Sequence, residues 1–283
     1  MKLQQAAAPD ISIITCSFNQ NRFLPTTIAS VLAQTGADVE YLVIDGGSTD
    51  GSVATIERHA ERLAYWVSEP DAGQSEALNK GLHRATGEIV GWLCSDDVLL
   101  PGALSRVVQI FKENPGVDAM YGNAVLIDTT GTIVRPKREI NFHPWLLVGD
   151  HNYIPQPAMF WRRRVHERIG YLREDLHLTM DLELWLRFGE QGCRVLHVDE
   201  YFAGMRCHSQ QKVLIHPAEL AAENEGLRAT YQPGWSRWLP HRLLHMMART
   251  TRILLRSSIG GYSSRAPAAL SASLRQLHDG VDL

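Results

Sequence analysis

What most restricts this chain is an alternation of short apolar runs with helical stripes in its first 120 or so residues. Residues 11–15 (ISIIT) and 41–44 (YLVI) are continuous apolar runs ended by polar or glycine-rich segments, the pattern of strands buried on both faces, and residues 88–93 (EIVGWL) read as a third strand. Between the first two, Pro25 marks a helix start, and Ile28, Val31 and Leu32 recur on one helical face. Ahead of the third, Ala77, Leu78, Gly81, Leu82 and Ala85 form another stripe, which Gly87 is expected to end. A further helix is expected after Pro101. Strands joined by helices favour a mostly parallel sheet covered on both faces, with right-handed crossovers. Ligands on such α/β sheets bind beyond the carboxyl ends of the strands.

After about residue 118 the rhythm changes. Residues 118–135 read as a hairpin turning at 129–131, residues 158–161 (AMFW) as a later strand, and the chain from about 215 onward as helical. With 283 residues, 45% of them hydrophobic and 21% charged, the chain can bury one large core and carry an appendage. A formal net charge of -3 gives no overall electrostatic case for nucleic acid. The four cysteines, Cys16, Cys94, Cys193 and Cys207, have no metal-ligand spacing and read as reduced thiols. The first ten residues lack the apolar core of a secretory signal, and no run approaches the ~18 apolar residues of a spanning helix, so a cytoplasmic protein is expected. Residues 237–256 mix apolar residues with Arg242, Arg249, Arg252 and Arg256. They read as a helix resting on an anionic membrane, or as one packed on the main domain, the preferred reading because Pro240 interrupts the segment. The final stretch, rich in Ser, Ala and Gly, is expected to be loose.

The chemistry gathers where strands end. The first strand leads into Cys16-Ser17-Phe18-Asn19, the second into Asp45-Gly46-Gly47-Ser48-Thr49-Asp50-Gly51, and a later one into Ser95-Asp96-Asp97. Small residues let backbone amides approach a ligand, while aspartates accept hydrogen bonds from a base or ribose and hold a hard cation. Taken alone, the Asp-Gly-Gly segment reads equally well as a tight turn capping the next helix through Ser48 or Asp50. Asp96 and Asp97, adjacent after an apolar strand, repel one another unless solvent, hydrogen bonds or a divalent cation compensates them. The plainer reading makes Asp97 a helix cap and leaves Asp96 in water.

In order along the chain, SFNQ (17–20), IDGGSTDGS (44–52), EPDAGQSEALNKG (69–81) and WLCSDDVLLPGAL (92–104) resemble glycosyltransferase family 2, over roughly residues 10–212. The resemblance implies a GT-A fold, a Rossmann-like, mostly parallel sheet flanked by helices. Its nucleotide-binding half is expected at about 10–117, its α+β acceptor half at about 118–212, and a helical extension at 213–283. It also implies a nucleoside-diphosphate sugar donor, typically of UDP or dTDP, a divalent cation (Mg²⁺ or Mn²⁺), and inversion at the anomeric carbon.

Carried over by motif, Asp45 contacts the nucleotide base, Asp71 borders it and Phe18 can stack on it, with Ser17 and Asn19 in the same loop. Asp96 is implied to contact the ribose and phosphate and Asp97 to bind the metal. Because Ser95 supplies no carboxylate, Asp97 becomes the key metal ligand. Residues 179–188 (TMDLELWLRF) resemble the catalytic-base motif, with Asp181 as general base and Glu183 a nearby rival. Met180 stands where the family often has glutamate, and without the upstream motifs Asp181 would read as a residue favoured by the helix dipole. Residues 205–212 (MRCHSQQK) resemble the segment that folds over the diphosphate, where His208 meets metal or phosphate and Lys212 adds positive charge. Gln156 reads equally as an acceptor-site or a turn residue. Trp92, Trp145, Trp161 and Trp185 read individually as packing residues.

The resulting expectation is sugar transfer to a saccharide or lipid-linked saccharide hydroxyl, in cell-surface polysaccharide or glycolipid synthesis, with possible peripheral membrane contact through the C-terminal helix. A catalytically degenerate nucleotide-sugar-binding scaffold is the alternative. A sugar nucleotidyltransferase fits poorly, since CSFNQNR lacks the glycine-rich, basic phosphate loop that such an enzyme normally uses.

Overall fold

Burial on both faces makes the first strand the axis of the structure. In the computed structural model, which describes residues 8–263, 266, 270–272 and 274, strand β1 (Ile11–Ser17) is buried at every position. It pairs in parallel with β2 (Val39–Asp45) on one side and β4 (Ile89–Trp92) on the other, while β3 (Tyr65–Ser68) extends the sheet beyond β2. Helices α1 (Leu24–Leu32), α2 (Ser52–Arg58) and α3 (Gln74–Arg84) make the crossovers. Pro25 lies in the first turn of α1 as expected.

Beyond β4 the sheet becomes mixed. A two-residue strand β5 (Val98–Leu99) precedes α4 (Ala103–Glu113), and β6 (Ala119–Ile127) with β7 (Ile133–Lys137) forms the expected hairpin, turning through Gly131 at φ 82°. There follow α5 (Pro144–Gly149), β8 (Met159–Arg162), α6 (Val165–Ile169), α7 (Met180–Glu190) and the twelve-residue β9 (Val195–Arg206). The sheet order is β3-β2-β1-β4-β8-β6-β9-β5, with β7 beside β6. Three further helices follow: α8 (Lys212–Ile215), α9 (Pro217–Tyr231) and α10 (His241–Ser258), which Pro240 starts rather than interrupts. The final stretch expected to be loose lies largely outside the described residues.

Two apolar layers flank the sheet, and β1 feeds both because its side chains alternate. Ile14 and Cys16 join the layer containing Leu78 and Leu82 of α3 and Trp185 and Phe188 of α7. Ile11 and Ile13 join the layer containing Ile28 and Val31 of α1 and Leu104, Val107 and Phe111 of α4. Trp161 and Trp185 are fully buried and Trp92 nearly so, with Trp92 stacked on Trp185 at a centroid distance of 5.7 Å.

Gly87 has a different role from the expected helix terminator. Helix α3 ends at Arg84 with Ala85 as its cap, and a Cβ on Gly87 would stand 2.6 Å from the Ser12 nitrogen and 2.8 Å from the Ile11 carbonyl carbon. The residue is small so that the start of β4 can lie against β1. Gly87→Ala is therefore expected to lower stability by about 1–3 kcal/mol through overpacking against backbone, measured as a lower urea midpoint with unchanged m-value. A midpoint equal to wild type would mean that the strands separate without strain.

Candidate active site

Register aligns the ends of three strands: Ser17 lies opposite Asp45, and Asp45 opposite Ser68. Asp45 is fully buried and its carboxylate is engaged by its own surroundings. Oδ2 accepts from the Gly47 and Ser48 amides (3.1 and 2.8 Å) and from Ser68 Oγ (2.7 Å), while Oδ1 accepts from Ser48 Oγ (2.6 Å). Asp45 thus shapes the loop in which sequence reading expected a base contact. Asp50 lies one residue before the cap of α2, which is Gly51, and its Oδ1 accepts from the amide and hydroxyl of Ser52 at the start of the helix. Asn19, the only non-glycine residue at positive φ among the described residues (51°), joins this loop to its own. Its amide donates to Ser48 Oγ at 2.8 Å, and its side-chain oxygen accepts from the Thr49 amide at 2.9 Å. Phe18 beside it remains 61% exposed, while the buried Ser17 hydroxyl has no hydrogen-bond partner.

Asp71 closes this group. A Cβ on Gly46 would stand 2.8 Å from Asp71 Oδ2, so glycine there lets the two loops touch. Partial burial raises the Asp71 carboxyl above its ordinary value, while the Gly73 amide and the charges of Lys80 and Lys212 act in the opposite direction. Ser17, Phe18, Asn19, Asp45 and Asp71 therefore share one end of the sheet, where Lys212, exposed at the start of α8, adds positive charge.

The next turn toward the sheet centre is acidic. After β4, the Cys94 sulfur and the carboxylate oxygens of Asp96 and Asp97 lie within 4.8 Å of one another. Burial, then the charge of Asp96, pushes the Asp97 carboxyl well above the usual carboxylate range. Arg206, at the end of β9, opposes that cost. Its amide donates to Asp97 Oδ1 at 2.8 Å, its Nε to the Asp96 carbonyl at 2.7 Å, and its guanidinium lies over Phe23 at 4.9 Å. His208 Nε2 lies 3.0 Å from Asp96 Oδ2, whereas its buried Nδ1 has no partner. Asp96 and Asp97 fit a hard divalent cation in donor chemistry, and the elevated Asp97 carboxyl marks where positive charge is lacking. His208, expected at the metal or phosphate, bonds Asp96 and lies outside the three clustered groups.

Behind the acidic turn, Gln74 donates to Cys94 Sγ at 3.4 Å, and that thiol donates to Gln156 Oε1 at 3.3 Å. Gln156 Nε2 donates to the Trp92 carbonyl at 2.9 Å, so its amide is used to fix the turn.

A further buried carboxylate stands on α7. In its first turn Asp181 accepts from the Leu182 amide and from Asn152 Nδ2, both at 2.7 Å. Burial raises the Asp181 carboxyl to about 6 against these two donors. Its neighbour Glu183 is bound to Arg187 and accepts from the Tyr231 hydroxyl at 2.6 Å, so its oxygens serve a buried ion pair. The segment before α7 is held at both ends. Ser75 Oγ, at the start of α3, donates to the Leu176 carbonyl, and Glu223 of α9 accepts from the amides of His177, Leu178 and Thr179 and from the Thr179 hydroxyl. Asp181 lies one helical turn before Trp185, which stacks on the last residue of β4. Sequence reading left Cys94, Asn152, Arg206 and Glu223 out of the site. Only Cys94 and Arg206 carried a local signal, since both lie in motifs quoted above.

A mixed α/β sheet of this order, with acidic turns at its edge, defines a glycosyltransferase of the GT-A fold. Residues 12–170 match Glycosyl transferase family 2, and the chain belongs to that family. An uncharacterized glycosyltransferase of Mycobacterium tuberculosis is 32% identical over 183 residues, 64% of this chain and 69% of that protein. The O-antigen biosynthesis protein RfbC of Myxococcus xanthus is 29% identical over 197 residues, 68% of this chain but 15% of that protein. The fold is shared with S. aureus TarS 1-349 in complex with UDP-GlcNAc (TM-score 0.57, 14% identity, 96% of this chain and 91% of that one). It is shared too with the mannosyltransferase PcManGT of Pyrobaculum calidifontis in complex with GDP-Man and Mn²⁺ (TM-score 0.54, 18% identity, 96% and 71%).

The raised Asp181 carboxyl has a cost in stability. A carboxyl whose folded value (about 6) exceeds its ordinary 3.8 binds its proton more tightly in the folded state, so its favourable contribution is complete below pH 3.8 and is lost as pH rises through 6. Asp181→Asn is expected to stabilise the protein by about 1–2 kcal/mol at pH 7.5 and to be neutral near pH 4. Urea unfolding at the two pH values checks this; an equal effect at both would exclude the charge as the cause.

Proposed function

We propose that this glycosyltransferase moves a sugar from a nucleoside-diphosphate sugar, of UDP or dTDP, to an acceptor hydroxyl with inversion at the anomeric carbon. The observation that carries this reading is the acidic Asp96–Asp97 turn after β4, and the buried Asp181 carboxyl in the first turn of α7, raised to about 6, supports it as a second carboxylate suited to proton transfer. The shared fold of structures holding UDP-GlcNAc, or GDP-Man with Mn²⁺, supports it.

In this reading Phe18 stacks on the base, while Asp45 holds the loop that, with Ser17, Asn19 and Asp71, frames the base and ribose. Asp97 is the principal ligand of Mg²⁺ or Mn²⁺, with Asp96 alongside and turned toward ribose and phosphate. The cation supplies positive charge against the diphosphate. His208 orients Asp96 and would lend its imidazole to the bound metal or phosphate, and Lys212 would add charge from α8. Asp181, held by Asn152, accepts the acceptor hydroxyl's proton as that oxygen bonds to the anomeric carbon and the carbon–phosphate oxygen bond breaks. One such displacement inverts configuration and needs no covalent intermediate on the protein. Likeness to an O-antigen biosynthesis protein supports a saccharide or lipid-linked saccharide acceptor and a role in cell-surface polysaccharide or glycolipid synthesis. Four free thiols accord with a cytoplasmic setting.

Calorimetric titration of UDP-, dTDP- and GDP-sugars with and without Mn²⁺ tests the donor side. Manganese-dependent binding that falls at least ~100-fold in Asp97→Ala is expected, an order set by the loss of a charged metal ligand. Absence of binding by every donor would sink the reading. On the acceptor side, kcat/KM is expected to fall below about pH 6 as Asp181 takes up its proton. Asn152→Ala, which removes a hydrogen bond favouring the carboxylate, is expected to move this limb to higher pH. A limb that stays in place would assign the proton transfer to another group.

A further inference from the structure

The last part of the chain has a charge pattern that sugar transfer does not use. Residues 226–278 contain eight arginines and no aspartate or glutamate, in a protein of formal net charge -3. Helix α10 divides this positive stretch lengthwise. Leu244, Ala248, Arg252 and Arg256, spaced four apart, are buried. Ala248 lies so close to Gly149 that a Cβ there would stand 2.5 Å away, Arg252 pairs with Asp150, and Arg256 pairs with Glu139 at 3.4 Å. Those two arginines are neutralised within the fold, which confirms the packing role weighed for this helix.

The other face is open. Met246 is 58% and Leu254 64% exposed, flanked by exposed Leu243, Met247 and Ile253, and Trp238 just ahead of the helix is 91% exposed. Exposed Arg237, Arg242 and Arg249 are interleaved with them and make no ion pair among the described residues. A face that is at once aliphatic, aromatic and cationic, with no acidic residue in its stretch, matches an anionic bilayer: headgroups take the arginines, and the interface takes the indole and the aliphatic side chains. Among the described residues no helix is long and apolar enough to cross a membrane, so the contact would lie in the surface plane.

We infer that the exposed face of α10, with Trp238, docks on an anionic phospholipid surface. Its purpose, though not its existence, rests on the transfer reading above. Arg252 holds Asp150 at the end of α5, and two residues on, Asn152 donates to Asp181. The docked helix is thus connected through a few residues to the carboxyl that takes the acceptor's proton, an arrangement suited to an acceptor carried on a lipid.

The test is co-sedimentation of the full chain with phosphatidylcholine vesicles, with and without phosphatidylglycerol. Binding is expected only with phosphatidylglycerol, weakening as salt rises. Arg242→Gln/Arg249→Gln is expected to lower the partition coefficient roughly 20-fold, and Trp238→Ala about tenfold. Failure of the wild type to sediment, or variants that sediment like wild type, would overturn the inference. A doubled mass in light scattering that these substitutions abolish would overturn it as well, assigning the face to a second copy of the chain. Vesicle binding needs neither donor nor acceptor, so its failure leaves the transfer reading standing. Manganese-dependent donor binding retained by the variants shows that they remain folded.

Discussion

Holding two carboxylates side by side at the end of an apolar strand is the constraint around which the site is arranged. Asp97 is 8% exposed and lies beside Asp96, so both desolvation and repulsion oppose its ionisation. The answer comes from far along the chain. β9 runs parallel to β6 and delivers Arg206, whose amide and guanidinium grip the acidic turn, and then His208, which meets Asp96 from the other side. The residual imbalance suits a site in which a further positive charge arrives with the ligand. Without the mixed half of the sheet, the acidic turn would lack its Arg206 clamp.

The sheet edge that follows β1, β2 and β4 was legible because its signals are local. Apolar runs gave β1, β2 and β4, a helical stripe gave α3, and the loops that follow β1, β2 and β4 could be placed on one edge from topology alone. What escaped was non-local. β5 is two residues long and paired only with β9, while His197, Asp199 and Glu200 break the apolar pattern of β9 itself. Asn152 lies 29 positions from Asp181 and Glu223 more than 40 from the amides it accepts, so neither has a signature near the residue it serves.

Two residues show how much of a side chain's role is set by its packed neighbours. An aspartate in Asp-Gly-Gly suits both a ligand contact and a turn that bonds its own amides, and Asp45 does the second in full. Gly87, three residues past the end of α3, has the composition of a helix terminator, but its requirement is set by Ser12, 75 positions earlier. Composition near a residue reports which conformations are permitted; only the packed neighbours decide which is used.

The Glu223 latch bears on how such a protein can be recombined. The family match ends at residue 170, yet the segment leading into Asp181 hangs from a carboxylate on α9, and Glu183 is capped by Tyr231 at the end of that same helix. A chimera joined at the edge of the family match would separate Asp181 from Ser75 and Asn79, whose side chains bond Leu176 and Leu172 on its approach. A junction just after α7 would separate it from Glu223. Residues 171–231 therefore exchange only together with their own α3 and Asn152, and a segment grafted beyond residue 231 must still supply partners for Asp150 and Glu139.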